Sequence, residues 1–122
     1  MKILPLTSLL SFTLLTFTIT TSVWSQPVMF LHDGPVRYFN DDDMALFKQT
    51  LDSALENQPD NETLSWINEK TQSQGTVTPL NSEQQDGMRC RLTRMSNTAK
   101  GLTRQAELKL CRQEDGRWLF AE

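Results

Sequence analysis

A single stretch of this chain carries a helical period, and that limits the fold more than any other feature. Met44, Phe47, Leu51, Ala54 and Leu55 recur at spacings of three and four, which gathers them into one apolar stripe. Asn40 and the aspartates Asp41, Asp42 and Asp43 lead into it, a capping oxygen followed by negative charge where a helix dipole is positive. Asn57-Gln58-Pro59-Asp60-Asn61 ends it. Everything downstream has strand character: Thr63 to Ile67, Gly75 to Leu80, Met88 to Ser96, Leu102 to Arg112 and Arg117 to Ala121, separated by polar or glycine-containing turns. One amphipathic helix has to bury its stripe against something, and an antiparallel sheet offers the matching face. The expected fold is α+β, with one N-terminal amphipathic helix packed on a four- to five-stranded antiparallel sheet.

The chain has two cysteines, Cys90 and Cys111, one in each of two neighbouring strand runs. Two cysteines allow one intramolecular pairing, and a zinc site needs further ligands where this chain has His32 alone as histidine. The reading is one disulfide, with two free thiols as the alternative. With Asn97 to Gly101 as the loop and regular strands, Cys90, Leu92, Ala106 and Leu108 share the apolar face and Cys111 points away. A β-bulge at the adjacent apolar pair Leu110-Cys111 would bring Cys111 back to the face of Cys90, together with Trp118 and Phe120. The last hairpin is expected at Glu114-Asp115-Gly116-Arg117, where Asp-Gly favours a tight primed turn.

The N-terminus has the layout of an export signal. Lys2 is followed by Leu, Phe, Thr and Ile with no further charge before His32 and Asp33, and Val23 and Ser25 are small enough to flank a cleavage after Ser25. An uncleaved membrane anchor is the alternative. The expected organisation is a signal peptide over 1–25, an irregular lead over 26–39 with turn signals at His32-Asp33-Gly34-Pro35, and one domain over 40–122 with no transmembrane segment in the mature chain. Export also suits the cysteines, because disulfides persist in oxidising compartments and small exported domains rely on them. No cysteine lies near the cut, so a lipid-modified N-terminal cysteine is not expected, and the mature chain is expected to be soluble.

Chemical motifs are missing from the sequence: no glycine-rich phosphate loop, no metal-ligand cluster, no nucleophile elbow. His32 stands in a turn rather than between a nucleophile and an acid. Three successive aspartates point three ways, which suits a helix cap better than calcium. No catalytic residue, metal or cofactor is expected. The net charge of −3 conceals a split. From Gln26 to Asp86 there are three basic and eleven acidic residues, and from Gly87 to Glu122 eight basic and four acidic. Arg89, Arg91, Arg94, Lys100 and Arg104 therefore form a candidate patch for an anionic envelope component such as lipid phosphate. The alternative is that acidic helix and basic sheet balance one another within the domain. Nucleic acid is not an expected partner for an exported chain of this sign.

ALENQPDNETLSWIN, GTVTPL, CRLTRM and LCRQEDGRW, in that order, resemble the C-terminal domain of the rickettsial seventeen-kilodalton surface antigen family of bacterial outer-membrane proteins. GPVRYFNDDD resembles the lead-in of its gammaproteobacterial members. The resemblance covers about Gly34 to Phe120. It falls on Trp66, Asn68, Gly75, Val77, Pro79, Cys90, Arg91, Cys111, Arg112, Asp115, Gly116 and Trp118, and implies structural roles for all of them. Unlike the rickettsial antigens, this chain has no cysteine at the signal cut and no glycine-rich membrane-associating stretch. The resemblance implies a non-enzymatic envelope protein of a Gram-negative bacterium that acts through an unidentified envelope protein or envelope component. A secreted or periplasmic inhibitor of a host or rival enzyme, lysozyme for example, is the alternative.

Overall fold

The computed structural model describes residues 33–121, so the expected signal peptide and the first half of the lead, His32 included, lie outside the described residues. A short 3-10 turn over Pro35–Tyr38 comes first, then helix α1 over Asp41–Asn57. Five strands follow, β1 Leu64–Asn68, β2 Ser73–Gln85, β3 Met88–Ala99, β4 Leu102–Arg112 and β5 Trp118–Phe120. They pair antiparallel in chain order as a meander. The α+β expectation holds: the described residues have helix α1 packed on a five-stranded antiparallel sheet, with a Cys90–Cys111 disulfide.

The helix starts where capping chemistry places it. The Asn40 side chain accepts from the Asp43 N–H at 2.8 Å and the Asp43 side chain accepts from the Asn40 N–H at 3.1 Å, a reciprocal capping box. It stops at Asn57 because Pro59 restricts Gln58 to extended backbone. Phe47, Ala54 and Leu55 are buried and meet Trp66, Val77, Met95 and Leu110 from the sheet. Each large side chain removed from water there contributes about 1.5–3 kcal/mol. Phe39 meets both Phe47 and Trp66 edge-on under the first turns, and Phe47 lies tilted against Trp66, with ring centroids 5.1–6.3 Å apart. The helix packs on β1 and β2, and the 3-10 turn on β3 and β4, so one face of the sheet is covered and the other is open among the described residues.

Two turns differ from expectation. The β3–β4 loop is the pair Lys100-Gly101, with φ of 52° and 75°, not Asn97 to Gly101. Strand β3 therefore continues to Ala99, and the ladder runs unbroken from Ala99 opposite Leu102 to Cys90 opposite Cys111. The expected bulge at Leu110-Cys111 is absent. A two-residue loop changes the parity of the hairpin, so the cysteines become direct partners with α-carbons 4.0 Å apart. The disulfide and Leu92 face the open side, whereas Leu108, Leu110 and Trp118 lie on the helix side. Leu110 and Cys111 are adjacent and both buried because one closes the core and the other sits in the disulfide. A register shift does occur in β2, where Pro79 faces Thr93 and Asn81 faces Leu92, leaving Leu80 without an opposite number. The last hairpin, by contrast, is not the expected primed turn: among its turn residues Gly116 alone has positive φ, 85°, and its N–H donates to the Gln113 carbonyl at 3.0 Å. That is a three-residue loop whose glycine takes the left-handed position.

Candidate functional site

Both ends of α1 leave backbone groups without helical partners, and each end is fastened to the sheet through one buried charged side chain. At the C-terminal end the supplier is Arg91, on the helix side of β3 and 1% exposed. Its Nη1 donates to the carbonyls of Ala54 (3.1 Å) and Leu55 (2.9 Å), and its Nη2 to the Gln58 carbonyl (2.6 Å) and Asp60 Oδ1 (2.8 Å). A planar guanidinium serves four acceptors on a fixed fork, and its positive charge suits the negative end of the helix dipole. The bond from Arg91, and a second from the Ser82 hydroxyl, hold the Asp60 carboxyl below its ordinary pKa.

At the N-terminal end the charge is carried by the helix itself. Asp43 is fully buried; its Oδ2 closes the capping box, and its Oδ1 accepts from Asn68 Nδ2 (2.7 Å) and Thr71 Oγ1 (2.6 Å) on the β1–β2 loop. Burial works to raise the Asp43 pKa, but the bonds from Thr71, the Asn40 N–H and Asn68 outweigh it and leave the carboxyl below its ordinary value. Asn68 also accepts from the Lys70 N–H at 3.1 Å, which fixes the loop that presents Thr71.

The remaining motif positions serve the same packing. Trp66, Gly75 and Asn97 stand side by side across β1, β2 and β3. A β-carbon at Gly75 would lie 2.2 Å from Asn97 Oδ1, 2.6 Å from Trp66 Nε1 and 2.6 Å from the Ser96 carbonyl, so glycine is required by close approach. Val77 is core, and Pro79 is buried beside the bulge, with its carbonyl accepting from the Asn61 N–H. Arg112 Nε and Trp118 Nε1 both donate to Glu56 Oε1, at 2.7 and 2.8 Å, which ties the last helical turn to β4 and β5. These two bonds hold the Glu56 carboxyl below its ordinary pKa. Asp115 accepts from the Arg117 N–H at 3.0 Å and shapes the final turn with Gly116.

The five cations of the anticipated patch are not brought together. Arg91 belongs to the interior, a correction with a plain cause: unpaired helix carbonyls attract a cation that sequence alone leaves on a sheet face. Arg94 lies on the open face, paired with Glu107 at 2.8 Å. Arg89 sits on the helix side, its guanidinium 6.0 Å from the Trp118 ring centroid. Lys100, in the β3–β4 turn, and Arg104 occupy the opposite end of the sheet from Arg89, separated by the length of β3. Among the described residues Arg89, Lys100 and Arg104 have no carboxylate partner, whereas Lys109 meets Glu83, Arg112 meets Glu56 and Arg117 meets Asp115. Acidic and basic halves of the sequence thus neutralise each other in several places.

The described residues contain no group of three side chains placed to hold a metal ion. Of the three aspartates, Asp43 is held inside while Asp41 and Asp42 are exposed. No helix among the described residues is long and apolar enough to cross a membrane. The open face carries a shallow concavity of about 380 Å³ bordered by Ser65, Ile67, Gln74, Thr76, Ser96 and Thr98, all uncharged. Asp43, Asp60, Glu56 and Asn97, which hold the motif residues in place, were not among the expected site residues. Asp43 had a visible signal in the cap; the other three had none.

The chain matches no curated protein and no solved structure. The family described as 17 kDa outer membrane surface antigen matches residues 53–119, more than half of the chain. That span begins in the last turns of α1 and takes in the whole sheet as far as Leu119, including Arg91 and every helix carbonyl it binds. The chain belongs to the 17 kDa outer membrane surface antigen family.

Proposed function

We propose that this protein is a non-enzymatic component of the Gram-negative cell envelope, exported by residues 1–25 and acting from the periplasm or the outer-membrane surface through contacts with an envelope protein or an anionic envelope component. Membership of the surface antigen family carries this reading. The architecture supports it: Trp66, Asn68, Arg91, Arg112 and Trp118 hold helix to sheet and Gly75 lets Trp66 and Asn97 approach within the sheet, so the work left to the molecule falls to its surface. For an anionic partner, Lys100 and Arg104 are the cations to consider, at one end of the sheet.

Fractionation of a Gram-negative host expressing the full chain tests the proposal. The expected result is recovery from the envelope or periplasm, with the mature mass beginning at Gln26. Cytoplasmic protein retaining Met1 would refute it. For the anionic partner, Lys100→Gln with Arg104→Gln is expected to reduce co-sedimentation with anionic vesicles in a salt-dependent manner. Unchanged binding would assign the contacts to protein instead.

A further inference from the structure

Strand β4 is paired on one side along its length and on the other only at its last residues. The two-residue turn makes Ala99 and Leu102 a hydrogen-bonded pair, and bonded pairs alternate along an antiparallel ladder. Leu102, Arg104, Ala106, Leu108 and Leu110 therefore direct their backbone groups to β3, while Thr103, Gln105, Glu107, Lys109 and Cys111 direct theirs away. The opposite edge agrees: Cys111 faces Leu119, and the Ala121 N–H donates to the Lys109 carbonyl at 2.9 Å. No described strand pairs with the edge on the turn side of Lys109, so Thr103, Gln105 and Glu107, all exposed, offer N–H and C=O groups with no strand opposite them among the described residues. The edge has no proline and no bulge, two of the devices that prevent pairing, although it does carry the charges of Arg104 and Glu107.

We propose that a second copy of this chain docks here, its β4 antiparallel to the first about a two-fold axis at Gln105, which joins the two sheets into one. Complementarity selects the occupant and the register. Residues that direct their backbone outward have to face one another, so Gln105 meets its own counterpart and Thr103 meets the partner's Glu107, with no like charges opposed. Arg104 then faces the partner's Ala106. Sliding by one step toward the turn sets Arg104 against its twin, and sliding the other way drives Leu102 onto the place held by Phe120 opposite Leu110. In the selected register Leu102 lands across from the partner's Leu108, in line with the partner's Phe120 on the helix side. Leu102 and Leu108 are half-buried and Phe120 is 38% exposed, because α1 packs on β1 and β2 and stops short of this row. The pairing covers apolar surface that the single copy leaves uncovered.

The test is the oligomeric state of the exported protein by sedimentation equilibrium across a wide concentration range. The account expects a reversible dimer. Gln105→Pro removes only an outward N–H, and because it acts twice across the axis it should weaken association at least about tenfold while leaving thermal unfolding of the monomer near its original temperature. Gln105→Cys should cross-link its own copies on oxidation, since bonded partners have α-carbons about 5.5 Å apart, within disulfide reach. Thr103→Cys, facing Glu107, should not. A protein monomeric at every concentration, a dimer indifferent to Gln105→Pro, or cross-linking by Thr103→Cys in place of Gln105→Cys would overturn the proposal.

Discussion

The two ends of helix α1 are fastened to the sheet by single buried charges of opposite sign, and the contrast between them explains most of what the family motif does. At the N-terminal end the charge is the helix's own Asp43, held by Asn68 and Thr71 from the β1–β2 loop. At the C-terminal end the helix has no basic residue in its last turn, and Arg91 reaches in from β3. Each sign complements the dipole at its end. The two differ in how they respond to conditions. A carboxylate can be protonated, whereas a guanidinium stays charged throughout the accessible range. The difference shows that Trp-x-Asn and Cys-Arg are two halves of one device for holding a helix flat on a meander. The cysteine of the second half lies on the opposite face from its arginine, so the disulfide fixes the strand from which Arg91 reaches.

The largest effect should come from breaking the C-terminal end. Arg91→Met keeps the bulk but leaves the carbonyls of Ala54, Leu55 and Gln58 and the Asp60 carboxylate without their donor. We expect a loss of about 3 kcal/mol or more in denaturant unfolding. If Arg91→Met unfolds within about 1 kcal/mol of the parent, a scale set by ordinary surface pairs, the fastening is not there.

Breaking the N-terminal end should cost less and should depend on pH. Asp43→Asn is expected to destabilise by about 2 kcal/mol at neutral pH through lost charge-assisted bonds. Because the folded-state pKa of Asp43 lies below its ordinary 3.8, its contribution is complete above that value and is lost as pH falls through the lower folded-state value. Unfolding curves for parent and variant should therefore converge in acid. Arg91→Met should show no convergence through Arg91 itself, although protonation of Asp60 weakens one of its four bonds. Equal convergence for both variants would remove the contrast.

The smallest effect sharpens the comparison by leaving the helix alone. Arg94→Gln breaks the exposed pair with Glu107 on the open face and should change stability by less than about 1 kcal/mol, with most of the change gone at high salt. A loss as large as that of Arg91→Met would mean that open-face charge matters as much as the buried fastening.

The sequence conveyed these two ends unequally. The N-terminal end was legible because capping joins neighbours: Asn40 and Asp43 are three positions apart, and the acidic run announces itself. The helix stripe, its stop before Pro59 and the five strand runs were legible by the same local logic. Arg91 was not, because its acceptors lie more than thirty positions earlier and a lone arginine in a polar strand resembles a solvated one. The β3–β4 loop misled for another reason. Asn97-Thr98-Ala99 has loop composition, yet Asn97 is buried beside Gly75 and Ala99 is core, and Lys100 takes a left-handed conformation that its side chain does not advertise. That three-residue difference in loop length reversed the parity of the hairpin, so the disulfide was expected correctly while its face was not.

The most direct test of the paired fastening is amide hydrogen exchange along α1 in three proteins, the parent, Arg91→Met and Asp43→Asn, at a pH where all three are folded. The account predicts that Arg91→Met loses protection mainly over Ala54 to Gln58, and that Asp43→Asn loses it mainly at the first turns and at the loop around Thr71. Uniform loss along the helix in both variants, or an unchanged last turn in Arg91→Met, would contradict it.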